Sequence, residues 1–277
     1  MLTHDASPGQ AYLQPVLPVE SEPLSVLPKR AGPPGASSPD MGRVWEAAIK
    51  EDASPELVTR GKTGTFGGGL ALTFDDGPQR RITPKILDTL KKRHLKVTFF
   101  VLGRQVKKNP ELLRRIVAEG HTLGNHTYDH ADLSTLNANQ MRRELQSTQR
   151  AVDDALGYHY PLALMRPPYG DPYFTGASSL PAFRRVVREQ ELFPVMWTID
   201  PSDYLYRGHP EGIVRGIRRV ARARHIDRQG KRDEVLLLHD NQRQTTKALP
   251  KILYYYEGEG RKFTSVDELL ADKYLDP

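Results

Sequence analysis

Hydrophobic and polar residues follow two alternating periods along this chain from residue 70 onward. Short apolar runs, rich in β-branched and aromatic residues, predict buried strands over residues 70–74, 97–102, 121–124, 162–165, 193–199, 234–238 and 262–265. Between them, helical spacing and start signals predict helices that begin at Thr83-Pro84 and Asn109-Pro110 and helices over residues 137–156, 180–190, 210–224 and 245–256. This alternation of strands and helices predicts a parallel sheet covered by helices. The sheet is either closed as a barrel of (β/α) units or opened as a doubly wound sheet.

The first 68 residues lack this alternation. Residues 1–40 contain eight of the 22 prolines, which predicts an extended tail or a strap on the domain surface. Residues 41–68 form a lead-in segment, in which Asp40 would cap a short helix that reaches residue 50. We therefore predict one folded domain over residues 69–277.

The composition is that of a globular protein, with 277 residues of which 38% are hydrophobic and 27% charged. The absence of cysteine excludes disulfides, thiolate nucleophiles and cysteine metal sites. No apolar run approaches the length of a transmembrane segment. No signal peptide is visible at the N-terminus, so a cytoplasmic protein, or an exported one without its leader, would begin in this way.

The net charge of +6 is concentrated in one segment. Residues 207–232, the basic patch, contain nine Lys or Arg against Glu211 and Asp227. Such a patch suits a polyanion, but its apolar residues recur at helical spacing, which favours the solvated face of a helix. No aromatic residues interleave with the arginines, as stacking on nucleic acid would require. We therefore expect no nucleic-acid partner and keep an anionic cell-wall polymer as the alternative to plain solvation.

Two adjacent carboxylates, Asp75 and Asp76, stand where the first predicted strand ends, and Gly77-Pro78 follows at once. Side chains alternate faces along a strand, so both can enter one site only where the strand gives way to a turn. One carboxylate could then bind a metal while the other acts as a base. A turn that caps a helix would also account for these residues. This stretch alone therefore leaves both a functional site and a structural turn open.

Ionisable residues follow four further predicted strands in the same way. They are His126 and His130, Arg166, Asp200 and Asp203, and His239 and Asp240. Active sites of α/β barrels and ligand sites of open sheets both lie at the carboxyl ends of the strands. The strand over 97–102 ends in Gly103 and carries no such group, so the rim is not charged everywhere. The pattern predicts one site at this rim.

A metal site is the first chemistry that this rim predicts. His126 and His130 are four residues apart, which would place both imidazoles on one side of a helical turn. Such a pair is more often structural unless a carboxylate lies nearby. Asp76, His126 and His130, the metal set, would combine two histidines and one carboxylate with an open position, as in catalytic sites for zinc and other divalent metals. We predict one divalent ion, zinc first, with cobalt, nickel or manganese as alternatives.

Five motifs occur in a fixed order along the chain: Thr73-Phe-Asp-Asp-Gly77, His126-x-x-x-His130, Arg166-Pro-Pro-Tyr169, Asp200-x-x-Asp203 and Leu237-x-His239. In order and spacing they resemble those of the polysaccharide deacetylases, the NodB-homology domains of carbohydrate esterase family 4. The resemblance spans about residues 69–271 and leaves residues 1–68 outside. It implies a distorted (β/α)7 barrel of the NodB-homology type.

The resemblance also implies a role for each motif residue. Asp75 would be the general base that takes a proton from the attacking water, and the metal set would hold the ion. Arg166 would pair with Asp75 and fix its orientation. The backbone N–H of Tyr169 would help to stabilise the oxyanion.

The other implied roles concern the leaving group and the substrate pocket. His239 would be the general acid that protonates the departing amine, oriented by Asp203. Leu237, Trp197 and Tyr204 would line the substrate pocket. Tyr204 stands where the family usually has Trp, and the stretch over residues 171–179 looks longer than usual, so both features concern substrate class rather than the reaction.

The predicted function is a metal-dependent hydrolase that removes N-acetyl groups from a polymer of N-acetylglucosamine, peptidoglycan ahead of chitin oligomers. An O-acetyl xylan esterase or a cyclic amide hydrolase is the alternative enzyme, and a non-catalytic glycan-binding module is the alternative without turnover. The expected partner is an N-acetylated cell-wall glycan. The expected location is periplasmic or secreted in a bacterium, with the cytoplasm as the alternative.

Overall fold

The structure is a computed structural model that describes residues 39–51, 69–223 and 233–275. Seven strands in this part of the chain form one sheet in which every pairing is parallel. The strands are β1 Gly69–Asp75, β2 Thr98–Val101, β3 Thr122–Asn125, β4 Leu164–Met165, β5 Phe193–Pro194, β6 Glu234–His239 and β7 Lys262–Thr264.

The sheet curls into a distorted barrel, which confirms the predicted fold class. Its order is β5-β4-β3-β2-β1-β6, and β7 pairs with the first half of β1 while β2 pairs with the second half. In the part of the chain that the structure describes, the segment that follows β5 joins the two ends of this order. Ile199 bridges to Leu236, and the backbone N–H of Leu237 donates to the Ile199 carbonyl at 2.9 Å. This junction is short and irregular, so the predicted strand over 193–199 shrinks to Phe193–Pro194.

Helices cover the outside of the sheet. Within the described residues they are α1 Met41–Glu51, α2 Thr83–Lys91, α3 Gly103–Lys108, α4 Pro110–Ala118, α5 Ala138–Leu156, α6 Leu180–Glu189, α7 Pro210–Ala223, α8 Arg243–Gly258 and α9 Val266–Tyr274. Short 3-10 turns occur at Leu133–Thr135, Pro168–Gly170 and Asp203–Leu205. None of the described helices is both long and apolar enough to cross a membrane.

Along β1, side chains alternate between two cores, as the pleat requires. Leu70, Leu72 and Phe74 pack on the outer helices. Ala71 belongs to the second core, which also holds residues of α1 and α9. Thr73 and Asp75 continue the inward row of Ala71 toward the carboxyl end of β1. The interior of the barrel is therefore apolar at one end and polar at the other, where the predicted site residues lie.

The side chains at the starts of three helices differ in whether they cap the helix. Asp40 accepts the backbone N–H groups of Gly42 and Arg43, which confirms it as a cap. Asn137, which was not predicted as a cap, forms a capping box at the start of α5. The helix predicted to begin at Thr83-Pro84 does begin there, but the Thr83 hydroxyl donates to Asp240 at 2.7 Å and does not cap the helix. The predicted tail over residues 1–38 and residues 224–232 of the basic patch lie outside the described residues.

Candidate active site at the carboxyl ends of the strands

Asp75 and Asp76 enter one site, as the end of β1 predicts. Asp75 is the last strand residue, and Asp76 has a φ of 79°, which takes its side chain out of the strand alternation. The carboxylate oxygens of Asp75 and Asp76 lie 3.7 and 3.5 Å from Nε2 of His126. Gly77 follows because a Cβ there would stand 2.0 Å from the Asp240 carboxylate. The turn thus brings two consecutive carboxylates to one imidazole.

His126 and His130 meet at Asp76, but not through a helical turn. Oδ1 of Asp76 lies 3.5 Å from Nε2 of His126 and 3.3 Å from Nε2 of His130. The predicted helical turn is wrong, since Thr127 and His130 both have a φ of 69°. Asn125 accepts the backbone N–H of Thr127 at 2.9 Å, and the Thr127 hydroxyl accepts that of His130 at 3.1 Å. These local bonds hold the loop in its non-helical path.

Neighbouring groups orient the metal set toward its own centre. Nδ1 of His126 donates to the Arg166 carbonyl at 2.7 Å, which leaves Nε2 facing Asp76. Asn241 donates from Nδ2 to Oδ2 of Asp76 at 2.8 Å. Oδ1 of Asp76 is then a buried oxygen without a hydrogen-bond partner among the described residues. An orphaned carboxylate oxygen between two imidazole nitrogens fits a divalent cation.

The distances within the metal set, and the charge states favoured for Asp76 and His130, also fit a cation. One ligand atom from each of its three residues lies within 4.8 Å of the other two. Burial raises the pKa of Asp76, but the close imidazole of His126 and its charge outweigh burial and hold the pKa well below the usual range. Burial lowers the pKa of His130, and the charge of His126 lowers it further. An ionised carboxylate and a neutral imidazole are the forms that bind metal.

Arg166 fixes Asp75 from inside the barrel. The side chain is fully buried, and Nη1 donates to Oδ1 of Asp75 at 2.7 Å and to the Thr73 hydroxyl at 2.8 Å. Nε donates to the Val195 carbonyl at 2.9 Å, and the guanidinium lies 4.1 Å from the centre of the Phe100 ring. These contacts fix the position of the Arg166 guanidinium. The Asp75 carboxylate that pairs with it is therefore fixed as well.

His239 is held by Asp203 on the opposite side of β1. Oδ1 of Asp203 accepts from Nδ1 of His239 at 2.6 Å, which leaves Nε2 free to face the site. Burial lowers the pKa of His239, but the hydrogen bond and charge of Asp203 outweigh it and raise the pKa to about 9. Asp203 is itself buried, and its Oδ2 accepts from the Thr245 hydroxyl at 2.5 Å. His239 is therefore protonated at neutral pH.

The predicted pocket residues lie around this centre. Leu237 is buried on β6, two residues before His239, and Trp197 is half-buried with its ring 5.7 Å from the Arg166 guanidinium. The exposed ring of Tyr204 meets the His239 ring edge-on at 5.6 Å. The exposed ring of Tyr169 meets the His130 ring at 4.7 Å. These residues thus lie at the same end of the barrel as Asp75, Arg166, His239 and the metal set.

Sequence reasoning missed the residues that support this site. Asn241, which bonds to Asp76, follows His239 by two residues, so its place after a predicted strand was a usable signal. Thr73 and Thr245 gave no such signal, because their roles depend on contacts across the fold. Asp240 turns away from the centre toward Thr83 and Gly77. Burial raises the pKa of Asp240 to about 7, against the Thr83 hydrogen bond.

Comparison with known proteins places this site in a family. Residues 64–180 match the family model described as polysaccharide deacetylase. The chain is 34% identical over 251 residues to the peptidoglycan-N-acetylglucosamine deacetylase PgdA of Listeria monocytogenes, covering 87% of this chain and 48% of that protein. It is 32% identical over 241 residues to the peptidoglycan-N-acetylmuramic acid deacetylase PdaA of Bacillus subtilis, covering 86% and 82%. The chain therefore belongs to the polysaccharide deacetylases, the hydrolases of carbohydrate esterase family 4.

The same comparisons show a difference in chain length and a match to a pseudoenzyme. The chain spans about half the length of the Listeria relative, 48% of it. A solved structure with a TM-score of 0.62 and 26% identity is a family 4 pseudoenzyme from Bacillus anthracis, matched over 74% of this chain and 66% of that one. Because a pseudoenzyme shares the fold, catalysis depends on the side chains at the site and not on the fold alone.

Proposed function

We propose that this protein is a metal-dependent deacetylase that hydrolyses the N-acetyl group of N-acetylglucosamine units in peptidoglycan. The observation that carries the proposal is the convergence of Asp75, the metal set and His239 at one end of the barrel. A base, an ion site and a protonated acid are the three elements that amide hydrolysis needs. Relatives named peptidoglycan deacetylases support the substrate class.

Asp75 is proposed as the general base. Its Oδ1 is engaged by Arg166, while an oxygen of the same carboxylate lies 3.7 Å from Nε2 of His126, on the side of the metal set. A carboxylate held in this way can take a proton from a water placed between it and the acetyl carbonyl. A divalent ion held by Asp76, His126 and His130 would activate that water and polarise the carbonyl. Zinc is our first candidate because two imidazoles and one carboxylate are typical ligands of catalytic zinc.

His239 is proposed as the general acid. The reaction breaks the amide C–N bond and gives acetate and a free amine, so the departing nitrogen needs a proton. Asp203 occupies Nδ1 of His239 and raises its pKa to about 9, so Nε2 carries a proton at neutral pH. The backbone N–H of Tyr169 is proposed to donate to the oxyanion, and Leu237 and Trp197 to enclose the acetyl methyl group. The exposed ring of Tyr204 extends this wall toward the sugar.

The proposed substrate also indicates where the protein acts. Its relatives are named for peptidoglycan, so we propose that it acts on the cell wall, outside the cytoplasmic membrane of a bacterium. The basic patch is proposed to contact anionic wall polymer. In the described part of the patch, Arg215, Arg218 and Arg219 lie on α7. If binding to wall material is unchanged between low and physiological salt, the contact is not electrostatic and this part is wrong.

Asp75→Asn tests the proposed base. The amide keeps the size of the side chain but cannot accept the proton, so acetate release from peptidoglycan fragments should fall about 10²- to 10⁴-fold. Metal content should stay the same, because Asp75 lies outside the metal set. Asp88→Asn, an exposed carboxylate paired with Arg115 on the outer surface, is the control and should change neither quantity. Equal activity of Asp75→Asn and the wild type would exclude the mechanism.

A further inference from the structure

A polar cavity of about 340 Å³ opens beside the metal set. It shares Asp76, His130 and Tyr169 with the candidate active site. Its other lining includes residues that follow β1 and β2, namely Gln79, Arg104 and Gln105. Binding pockets for small ligands measure about 300–1,000 Å³, so the cavity can hold one substituent or sugar unit. A glycan bound at the metal set can therefore reach into it.

Arg104 brings positive charge to this cavity. Its side chain is exposed, and it forms no ion pair within the described residues. Asp129 also lines the cavity, but the two side chains are not paired with each other. A guanidinium with free N–H groups can bind a carboxylate through two parallel hydrogen bonds, which an uncharged hydroxyl cannot replace. The neighbouring amides of Gln79 and Gln105 can donate to and accept from sugar hydroxyls.

The backbone of Arg104 is fixed relative to the metal set. Its N–H donates to the Tyr128 carbonyl at 2.9 Å, and the N–H of Gly103 donates to the Thr127 carbonyl at 3.1 Å. Both acceptors belong to the loop between His126 and His130. A Cβ at Gly103 would stand 2.5 Å from the Tyr128 ring, so only glycine permits this approach. The backbone of Arg104 is therefore fixed relative to the loop that carries His126 and His130.

We propose that this cavity binds a carboxylate carried by the glycan beside the acetamido group that is hydrolysed, with Arg104 as the residue that determines this specificity. The proposal rests on the proposed function and narrows its substrate to an acidic glycan. Peptidoglycan carries a carboxylate on the stem peptide, or on the lactyl group of a muramic acid to which no peptide is attached. Chitin oligomers carry none, so the cavity favours the first substrate over the second.

The test compares Arg104→Ala with the wild type on peptidoglycan fragments whose carboxylates are free and on the same fragments as methyl esters. For the wild-type holoenzyme we expect KM to be about tenfold lower for the free acids, the scale of a hydrogen bond to a charged group. Arg104→Ala should lose this difference through a higher KM, with kcat kept. Arg104→Lys should restore part of it. Lys108→Ala, an exposed cation on the same helix and not part of the cavity lining, should behave as the wild type.

Peptide-free glycan strands serve as a second substrate, which distinguishes the two possible carboxylates. An amidase that cleaves the amide between the lactyl group and the peptide removes the peptide carboxylates and exposes the lactyl carboxylate. An Arg104 effect seen only on these strands assigns the site to the lactyl group, one seen only on peptide-bearing fragments assigns it to the peptide, and one seen on both shows that either carboxylate enters the cavity. If Arg104→Ala changes KM equally for acids and esters, or for neither, the cavity does not recognise a carboxylate and the proposal is wrong. Acetate release by wild type would still support the deacetylase in that case. Its absence from every glycan would overturn the proposed function instead.

Discussion

At the scale of single residues, one backbone torsion separates the two proposed roles of Asp75 and Asp76. The φ of 79° at Asp76 directs its carboxylate to both histidines, while Asp75 stays in strand geometry beside Arg166. The sequence predicts that both carboxylates enter one site, because they stand at a strand end. It does not predict that Asn241 holds the second oxygen of Asp76, since that bond joins residues 165 positions apart.

Removing the amide of Asn241 should weaken metal binding. In Asn241→Ala, Oδ2 of Asp76 loses its donor and the carboxylate is free to turn away from the histidines. Loss of such an outer partner typically costs about 10- to 100-fold in metal affinity, which zinc titration would measure. Asn139→Ala, on the surface of α5, is the control. An unchanged dissociation constant would show that Asn241 does not orient the ligand.

The pair formed by His239 and Asp203 should set the alkaline limit of activity. The pKa of His239 is raised to about 9, so the protonated acid persists below that pH and is lost as pH rises through it. Asp203→Asn removes the charge that raises this pKa, and the descending limb of kcat/KM should move to lower pH. Asp153→Asn, which removes a similar partner from His159, should leave the profile unchanged. A limb at the same pH in Asp203→Asn would contradict the role of His239.

At the scale of elements, periodicity predicts most strands and helices but not the loops between them. The strands of the first half of the sheet differ from prediction by a residue or two. The segment over 195–199 departs further, because Thr198 and Ile199 both donate their N–H to the Val235 carbonyl instead of forming a regular ladder. The loop from His126 to His130 differs from the predicted helical turn because the side chains of Asn125 and Thr127 accept backbone N–H groups within it. Both departures arise from specific side-chain or cross-strand contacts, which no period in the sequence reveals.

The turn after β1 depends on close contact between Gly77 and Asp240. A Cβ in Gly77→Ala would stand 2.0 Å from the Asp240 carboxylate, so the turn or the carboxylate must shift, and overpacking of this kind costs about 1–3 kcal/mol. We expect lower stability in urea together with weaker metal binding, because Asp76 precedes the turn. Adding Asp240→Ala should restore part of both. Gly258→Ala, with open space around it, is the control and should not destabilise the protein.

At the scale of the whole molecule, the barrel interior is closed by a helix from outside the predicted domain. Val44, Trp45 and Ala48 of α1 belong to the core that α9 and the inward row of the sheet share, and the Trp45 ring meets Phe193 at 4.8 Å. This packing supports a domain that begins before residue 69. The sequence did not predict the contact, because a single amphipathic helix carries no record of the surface that it covers.

Trp45→Ala tests the contribution of α1. The side chain is 7% exposed, and removing a buried Trp costs about 3–5 kcal/mol of unfolding free energy. Zinc affinity should stay the same, since the metal set lies at the other end of the barrel interior. Tyr254→Ala, at a side chain that is 75% exposed, is the control for stability. A small change in Trp45→Ala would mean that α1 contributes little to the fold.

The most direct measurement of the central claim is acetate release from peptidoglycan by the protein stripped of metal and then reloaded. We expect no release after chelation and recovery when zinc is returned, because Asp76, His126 and His130 are the proposed ion ligands beside the proposed base. His126→Ala should remain inactive after reloading, since it removes one of the three ligands. Release that survives chelation, or its absence from the reloaded wild type, would contradict the assignment as a metal-dependent deacetylase.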